Sequence, residues 1–320
     1  MSSLRPADPD IDVTVCVVNW NGARWLPDCL RALGEDRAVR LEVIVVDNAS
    51  DDGSVKVVRE SFPAVKLIVN NENAGYAKGN NQAIVRGRAR YFLLLNNDAV
   101  PESGAVERLV YFLDQRPKAG MVAGRLINAD GSTQYTYYPV SLPSLASMAA
   151  DLLWLNRLSP RNRIGRGALA RQWDPEMPYR MEQLPGACLM VRREVFQDIG
   201  IFDERYRFWY EDVDLCARAR DAGWELWYVP EVEILHYGGE SSKLLGEASR
   251  SLLRFQSMLR YAAQHFCRGH FLLLKSVVTF VLVVRLPGVM VAGLWPGAAG
   301  RRWKGAWRAY FQLLREVVLG

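Results

Sequence analysis

The chain has 320 residues, half of them hydrophobic and 23% charged, a composition that excludes a disordered or collagen-like polymer and leaves ample material for a core. Net charge is only +5 but unevenly placed: residues 1–242 hold 28 Lys/Arg against 33 Asp/Glu, and residues 243–320 hold 12 against 2. That balance argues against a nucleic-acid binder, and it gives the C-terminal end alone a need for an anionic neighbour or a solvated face.

Val13–Val18 reads as a first apolar strand, followed by a helix over 23–33 that stops at Gly34. Leu41–Val46 leads into the turn-rich Asp47-Asn-Ala-Ser-Asp-Asp-Gly53 and a helix to about Ser61. Val65–Val69 precedes a helix over 76–86, and Tyr91–Leu95 precedes one over 102–115. Four such strand–helix units with short loops predict an α/β fold on a mostly parallel, doubly wound sheet. Asn128-Ala-Asp-Gly131 reads as a hairpin turn opening a less regular insertion to about Pro178. Within it Arg157, Arg161, Arg163, Arg166 and Arg171 occur with no acid between Leu152 and Trp173, which suits either a solvated linker or a phosphate-binding arm. A second block follows, with a strand over Ala187–Val191, a short helix over Glu194–Ile199 and a helix over Glu211–Ala222 that ends at Gly223. Glu225–Val229 then reads as a strand running to Pro230, with His236 beyond a strand end.

From Phe271 to Ala299 the chain is mostly apolar, but Arg285, Pro287 and several glycines interrupt it. A spanning helix needs about 20 apolar residues in a row, so an interfacial or re-entrant helical hairpin is expected rather than a full span. Trp303, Trp307, Tyr310, Phe311, Leu314 and Val318 then recur at helical spacing among Arg301, Arg302, Lys304, Arg308 and Arg315. Such a helix suits an anionic bilayer surface; packing on the catalytic part or on a second copy in a homodimer remains the other reading. The first twelve residues lack a signal-peptide pattern, so a cytoplasmic protein on the inner face of the cell membrane is expected. The five cysteines are odd in number and lack a Cys-x-x-Cys pair, as expected of buried thiols in a reducing compartment.

The chemistry concentrates at strand ends. Val18-Asn19 ends the first strand, Asp47 the second, Asn70–Asn81 the third, and Asn96-Asn97-Asp98 the fourth. In a parallel sheet these ends share one side, where open α/β sheets bind ligands. Each loop alone is also ordinary turn chemistry. A carboxylate held at such an edge suits Mg²⁺ or Mn²⁺, ions that commonly accompany phosphates. Trp209-Tyr-Glu-Asp-Val-Asp214 places three carboxylates at a helix start, where they serve either the helix dipole or proton transfer.

Taken together, Val18-Asn-Trp-Asn21, Val46-Asp-Asn-Ala-Ser50, Gly75-Tyr-Ala-Lys-Gly-Asn-Asn81 and Leu95-Asn-Asn-Asp98 resemble family 2 glycosyltransferases of the inverting, GT-A type. So do Gly186-Ala-Cys-Leu-Met190, Phe202-Asp-Glu204, Tyr210-Glu-Asp-Val-Asp214 and His236. The greatest similarity is to bacterial rhamnosyltransferases that extend cell-wall or O-antigen saccharides. The resemblance implies a GT-A catalytic domain over 1–242, with a nucleotide-binding half over about 12–125 and an acceptor half over about 126–242. The remainder, 243–320, is expected to be a helical, membrane-associating extension. It implies that Asp47 contacts the pyrimidine, and that Val18, Asn19, Asn73, Gly75, Lys78, Asn80 and Asn97 surround the nucleotide. Asp98 and His236 would hold the divalent cation, Asn96 replacing the first acid of the family's Asp-x-Asp motif. Asp212 would be the general base, beside Glu211. The implied donor is dTDP-rhamnose or a UDP-sugar, and the acceptor a glycan or lipid-linked saccharide. A nucleotidyltransferase is the alternative enzyme, disfavoured because Asn19-Trp-Asn-Gly-Ala-Arg24 has little Gly and one Arg; a non-catalytic membrane scaffold is the alternative outside enzymes.

Overall fold

The four early strand–helix units form as their apolar runs require. In the computed structural model, β1 (Val13–Asn19), β2 (Leu41–Asp47), β3 (Lys66–Val69) and β4 (Tyr91–Asn96) pair in parallel in the order β3-β2-β1-β4. Helices α1 (Leu26–Leu33), α2 (Ser54–Ser61) and α3 (Tyr76–Ile84) are the connections. Strand β4 is buried from Tyr91 to Leu95, and its residues belong to one core with Val15, Val17, Ile44 and Val46. Such two-sided burial is what a continuous apolar strand demands. The structure describes residues 4–34, 38–137, 141–153, 155, 174–238, 247–294, 311–315 and 317.

The sheet is mixed beyond β4. It continues through β8 (Cys188–Arg192), antiparallel to both β4 and β6 (Ala119–Ile127), to the twelve-residue β9 (Glu225–His236), parallel to β6. Short strands β5 (Ala99–Pro101) and β7 (Tyr179–Met181) add antiparallel pairings along β9. Helices α4 (Ala105–Asp114), α6 (Arg193–Ile199) and α7 (Glu211–Asp221) complete this part.

Strand β9 corrects the expectation that a strand stops at Pro230. The register jumps from Gly124↔Val229 to Arg125↔Glu233, so 230–232 form a bulge. Proline, which cannot donate to a ladder, is tolerated in a bulge. The bulge fits because residue 124 is glycine: a Cβ there would meet the Val232 carbonyl oxygen at 2.4 Å. His236 is therefore the last residue of the strand, opposite Ala99.

The chain forms two compact units. One comprises Met1–Leu142, Gln172–Arg207 and Glu211–Ser241 and contains the sheet; the other comprises Pro143–Arg171, Phe208–Tyr210 and Ser242–Gly320. In the second, α5 (Leu145–Leu152) and α8 (Glu247–His265) pack against α9 (Arg268–Leu294). Where an interfacial or re-entrant hairpin is expected over 271–299, the described residues up to Leu294 form one 27-residue helix with Pro287 inside it; 295–299 lie outside the described residues. Pro287 cannot donate to the carbonyl four residues back, and it sits with Val283 on the exposed side of the helix. The arginines at 157, 161, 163, 166 and 171 lie outside the described residues, as do Trp303 and Trp307. All five cysteines are free thiols; four are buried and Cys267 is exposed.

Candidate active site

The parallel register sets Asn19 beside Asp47, and Val18 beside Asn96, at one edge of the sheet. The Asn19 amide donates to Asp47 Oδ2 at 2.8 Å and to Ser50 Oγ at 3.2 Å, while the Ser50 N–H donates to Asp47 Oδ1 at 2.9 Å. Asn97 Nδ2 donates back to Asn19 Oδ1 at 2.7 Å. Asn19, Asp47 and Asn97 are all buried. Hydrogen bonds to a charged group contribute about 1.5–3 kcal/mol each, so Asp47 anchors the edge itself. Gly22 runs directly over this cluster: a Cβ would come within 2.1 Å of Asn97 Nδ2, so only glycine fits.

The third loop joins through backbone. Asn48 Nδ2 donates to the Gly75 carbonyl at 3.2 Å, and Asn73 Oδ1 accepts from the Gly75 N–H at 3.0 Å. Asn80 is buried and donates to the Tyr76 carbonyl at 3.1 Å, leaving its Oδ1 buried without a partner. Asn73 and Lys78 are exposed, and Val18 is half-buried beneath Gly79. Asn81 clamps Phe202 in both directions, donating to its carbonyl at 2.9 Å and accepting from its N–H at 3.0 Å. That pair physically links two motifs 121 residues apart in the sequence.

Asp98 and His236 meet at the β5–β9 pairing, both buried, with His236 Nε2 3.5 Å from Asp98 Oδ1. Gln134, which sequence reasoning missed, fixes the ring. Its Nε2 donates to the His236 carbonyl at 2.6 Å and to Asn128 Oδ1 at 2.8 Å. Its Oε1 must therefore face His236 Nδ1, 2.8 Å away, which makes Nδ1 the protonated nitrogen. His236 Nε2 then faces Asp98, with Asn96 Nδ2 3.5 Å from the same nitrogen. Tyr137 lies edge-on to the imidazole at 5.2 Å, and the rings of Trp25 and Tyr237, the residue after His236, pair at 4.3 Å. Gln134 follows the Asn128–Gly131 turn, a segment with no periodicity to mark it; only its polarity after a hairpin could have flagged it. Among the described residues no group of three or more His, Cys, Asp or Glu is arranged to hold a metal.

Asp212 opens α7. Its Oδ2 accepts from the Gly186 N–H at 3.0 Å and its Oδ1 from the Val213 N–H at 2.8 Å. Tyr76 Oη donates to the Gly186 carbonyl at 2.6 Å, so both sides of Gly186 are pinned, and the third loop reaches the Asp212 cradle. Burial raises the Asp212 pKa, partly offset by those two backbone donors. Glu211 is raised to about 8, first by burial and then by the Asp212 charge; its Oε2 is buried without a hydrogen-bond partner. The third acid differs: Asp214 pairs with Arg218 at 2.8 Å, and Arg218 also donates to the Ile199 and Ile201 carbonyls, fixing the helix.

The structure thus gathers Asn19, Asp47 and Asn97 in one cluster and Asp98 with His236 at strand ends of an α/β sheet, where such sheets bind nucleotides, and it sets Asp212 against Gly186 at the start of α7. Residues 14–200 match the family described as Glycosyl transferase family 2, and the chain belongs to that family. It is an inverting glycosyltransferase of GT-A fold that acts on a nucleotide-sugar donor. It is 32% identical over 225 residues to the N-acetylglucosaminyl-diphospho-decaprenol L-rhamnosyltransferase of Mycobacterium tuberculosis, covering 66% of this chain and 70% of that one. Among solved structures, a mannosyltransferase from Pyrobaculum calidifontis, crystallised with GDP-Man and Mn²⁺, superposes with a TM-score of 0.56 at 18% identity, covering 98% of this chain and 89% of that one. S. aureus TarS 1-349 superposes with a TM-score of 0.52 at 14% identity, covering 96% of this chain and 82% of that one. At those identities the structures speak for the fold alone.

Proposed function

We propose that this protein transfers a single L-rhamnosyl unit from dTDP-rhamnose to a lipid-linked saccharide at the cytoplasmic membrane surface, with a divalent cation on the donor diphosphate. The observation that carries the reading is the Asp98–His236 pair, with His236 Nε2 aimed at Asp98 Oδ1 3.5 Å away and its other nitrogen committed to Gln134. One carboxylate and one imidazole nitrogen fit Mg²⁺ or Mn²⁺, which complete their shells with water and substrate phosphates. A bound cation would neutralise charge developing on the leaving diphosphate. The donor sugar and acceptor are suggested by the M. tuberculosis relative, whose name gives both for that protein. A UDP-sugar donor is the second reading, since Asp47 would serve uracil as readily as thymine.

In this reading the acceptor hydroxyl attacks the anomeric carbon from the face opposite the leaving group. The C–O bond to the acceptor forms as the bond to the nucleoside diphosphate breaks, which inverts the configuration. Asp212 takes the hydroxyl proton. Its two backbone donors hold the carboxylate in place, and burial makes it a stronger base than an exposed Asp. Glu211 stays protonated beside it. Asn19, Asp47, Asn97 and the 73–80 loop orient the nucleotide.

Gln134→Leu should weaken Mn²⁺ affinity about 10–100-fold, the usual effect of losing a residue that orients a metal-ligating histidine, and titration calorimetry would read it. The donor assignment is tested by heating the protein with a panel of sugar nucleotides and Mn²⁺. dTDP-rhamnose should raise Tm most, because a ligand bound only to the folded state stabilises it. A larger shift with a UDP-sugar would replace the rhamnose reading, and no shift with any donor, together with no donor hydrolysis, would favour a scaffold.

A further inference from the structure

Helix α9 presents two unlike faces. Leu274, Val278, Val281 and Leu282 are buried, and α9 packs against α5 and α8 of the same unit. Arg285 is tied to that side, donating to the Leu152 carbonyl at 2.9 Å. The other face carries Leu272, Leu273, Phe280, Val283 and Val284, each 50–61% exposed. With Ser276 and Pro287, both exposed, these positions recur at three- and four-residue spacing, which makes one continuous stripe. Five large apolar side chains exposed along one helix mark an interaction surface rather than chance exposure.

Length and hydropathy would let Arg268–Pro287 cross a bilayer, with a mean hydropathy of 1.8 and 22% of that stretch buried. Its packing argues against that. A spanning α9 would draw α8 into the hydrocarbon, and α8 carries Arg250, Arg254 and Arg260 on its 19 residues. Charged side chains are strongly disfavoured there. Lying in the interface plane satisfies both faces: the stripe enters the acyl boundary while α5 and α8 stay on the aqueous side. Charge selects the surface. No acid occurs from residue 248 to 315, a stretch holding eleven Lys and Arg. Arg268 and Lys275, seven residues apart, flank the stripe along one side, Arg268 exposed and Lys275 half-buried over the Phe271 ring.

We infer that the Leu272–Val284 stripe of α9 docks in-plane on an anionic bilayer surface. This rests on the proposed membrane-linked acceptor for its purpose only, since docking is measured without any sugar nucleotide.

The full-length protein should co-sediment with phosphatidylglycerol–phosphatidylcholine vesicles, less with phosphatidylcholine alone, and less again at high salt, because screening weakens exposed charge attraction. Phe280→Glu/Val284→Glu changes only exposed positions and should lower vesicle affinity at least tenfold, with an unchanged Tm and unchanged donor protection. A bimane on Val283→Cys, in a Cys267→Ser background, should be quenched by shallow lipid-borne quenchers and protected from aqueous iodide. Undiminished binding of the double Glu variant would overturn the proposal. So would deep-only quenching with resistance to alkaline extraction, which indicates a span. Dimerisation without vesicle binding would assign the stripe to a second copy and overturn it equally. Loss of donor protection in the wild type, with vesicle binding intact, would strike the donor reading alone.

Discussion

Asp212→Asn should lower kcat by roughly 10²–10⁴, the usual contribution of a positioned general base, while the Kd for sugar nucleotide stays near that of the wild type. The substitution keeps size and polarity but removes the basic lone pair. It also turns an amide toward either the Gly186 or the Val213 N–H, which now donate to carboxylate oxygens. Leaving one such donor unpaired costs about 1–3 kcal/mol of stability, so Tm should be measured alongside turnover. Glu211→Gln is the matched control. Burial, and then the Asp212 charge, raise the Glu211 pKa far enough that the side chain is protonated at neutral pH. Gln is close to an isostere of that neutral acid, so neutral turnover should survive. The pH profile carries the sign. Because burial raises the Asp212 pKa, the acid limb of kcat should lie above the ordinary aspartate value of about 3.9, and it should be unmoved in Glu211→Gln, since Glu211 carries no charge while Asp212 titrates. If Glu211→Gln proves as damaging as Asp212→Asn, the two acids exchange roles.

The half of the molecule that follows the strand–helix rhythm was legible in the sequence because its signals are local. Apolar runs at 13–18, 41–46 and 91–95 become β1, β2 and β4 within a residue or two, and the polar residues after them fall at one edge because parallel pairing leaves no alternative. Strand β9 was read short because Pro230 is a stop signal whenever the bulge that shelters it depends on a distant glycine, Gly124. Strands β5 and β7, three residues each, exist only through pairing with β9 and have no pattern of their own. Of the site, the acids and His236 were legible as residue types at strand or helix ends. Gln134 was not, because its role depends on three acceptor and donor contacts to residues 128 and 236. The same holds for Tyr76, whose reach to Gly186 spans 110 positions. Helix α9 has the composition of a broken segment because composition cannot distinguish a proline carried on the exposed side of a helix from one that ends it.

Asp98→Asn and His236→Ala should each abolish most Mn²⁺ binding in the presence of a nucleoside diphosphate, and the double variant should be scarcely worse than either alone. The argument is one of shared geometry. With Oδ1 and Nε2 3.5 Å apart, a single ion would touch both, so removing one ligand already destroys the bidentate hold and the two losses are strongly non-additive. Asp98→Asn keeps the volume of a buried residue while removing its charge. His236→Ala leaves Gln134 Oε1 without its donor, and the resulting Tm change separates a folding defect from a binding one. Calorimetric titration of Mn²⁺ into wild type and the three variants measures the cycle, and chelation with EDTA should reduce wild-type turnover to the level of Asp98→Asn. Additive, independent losses would mean that the residues serve different ligands. Unchanged Mn²⁺ affinity in His236→Ala would confine the imidazole to bracing the Asp98 loop against the end of β9.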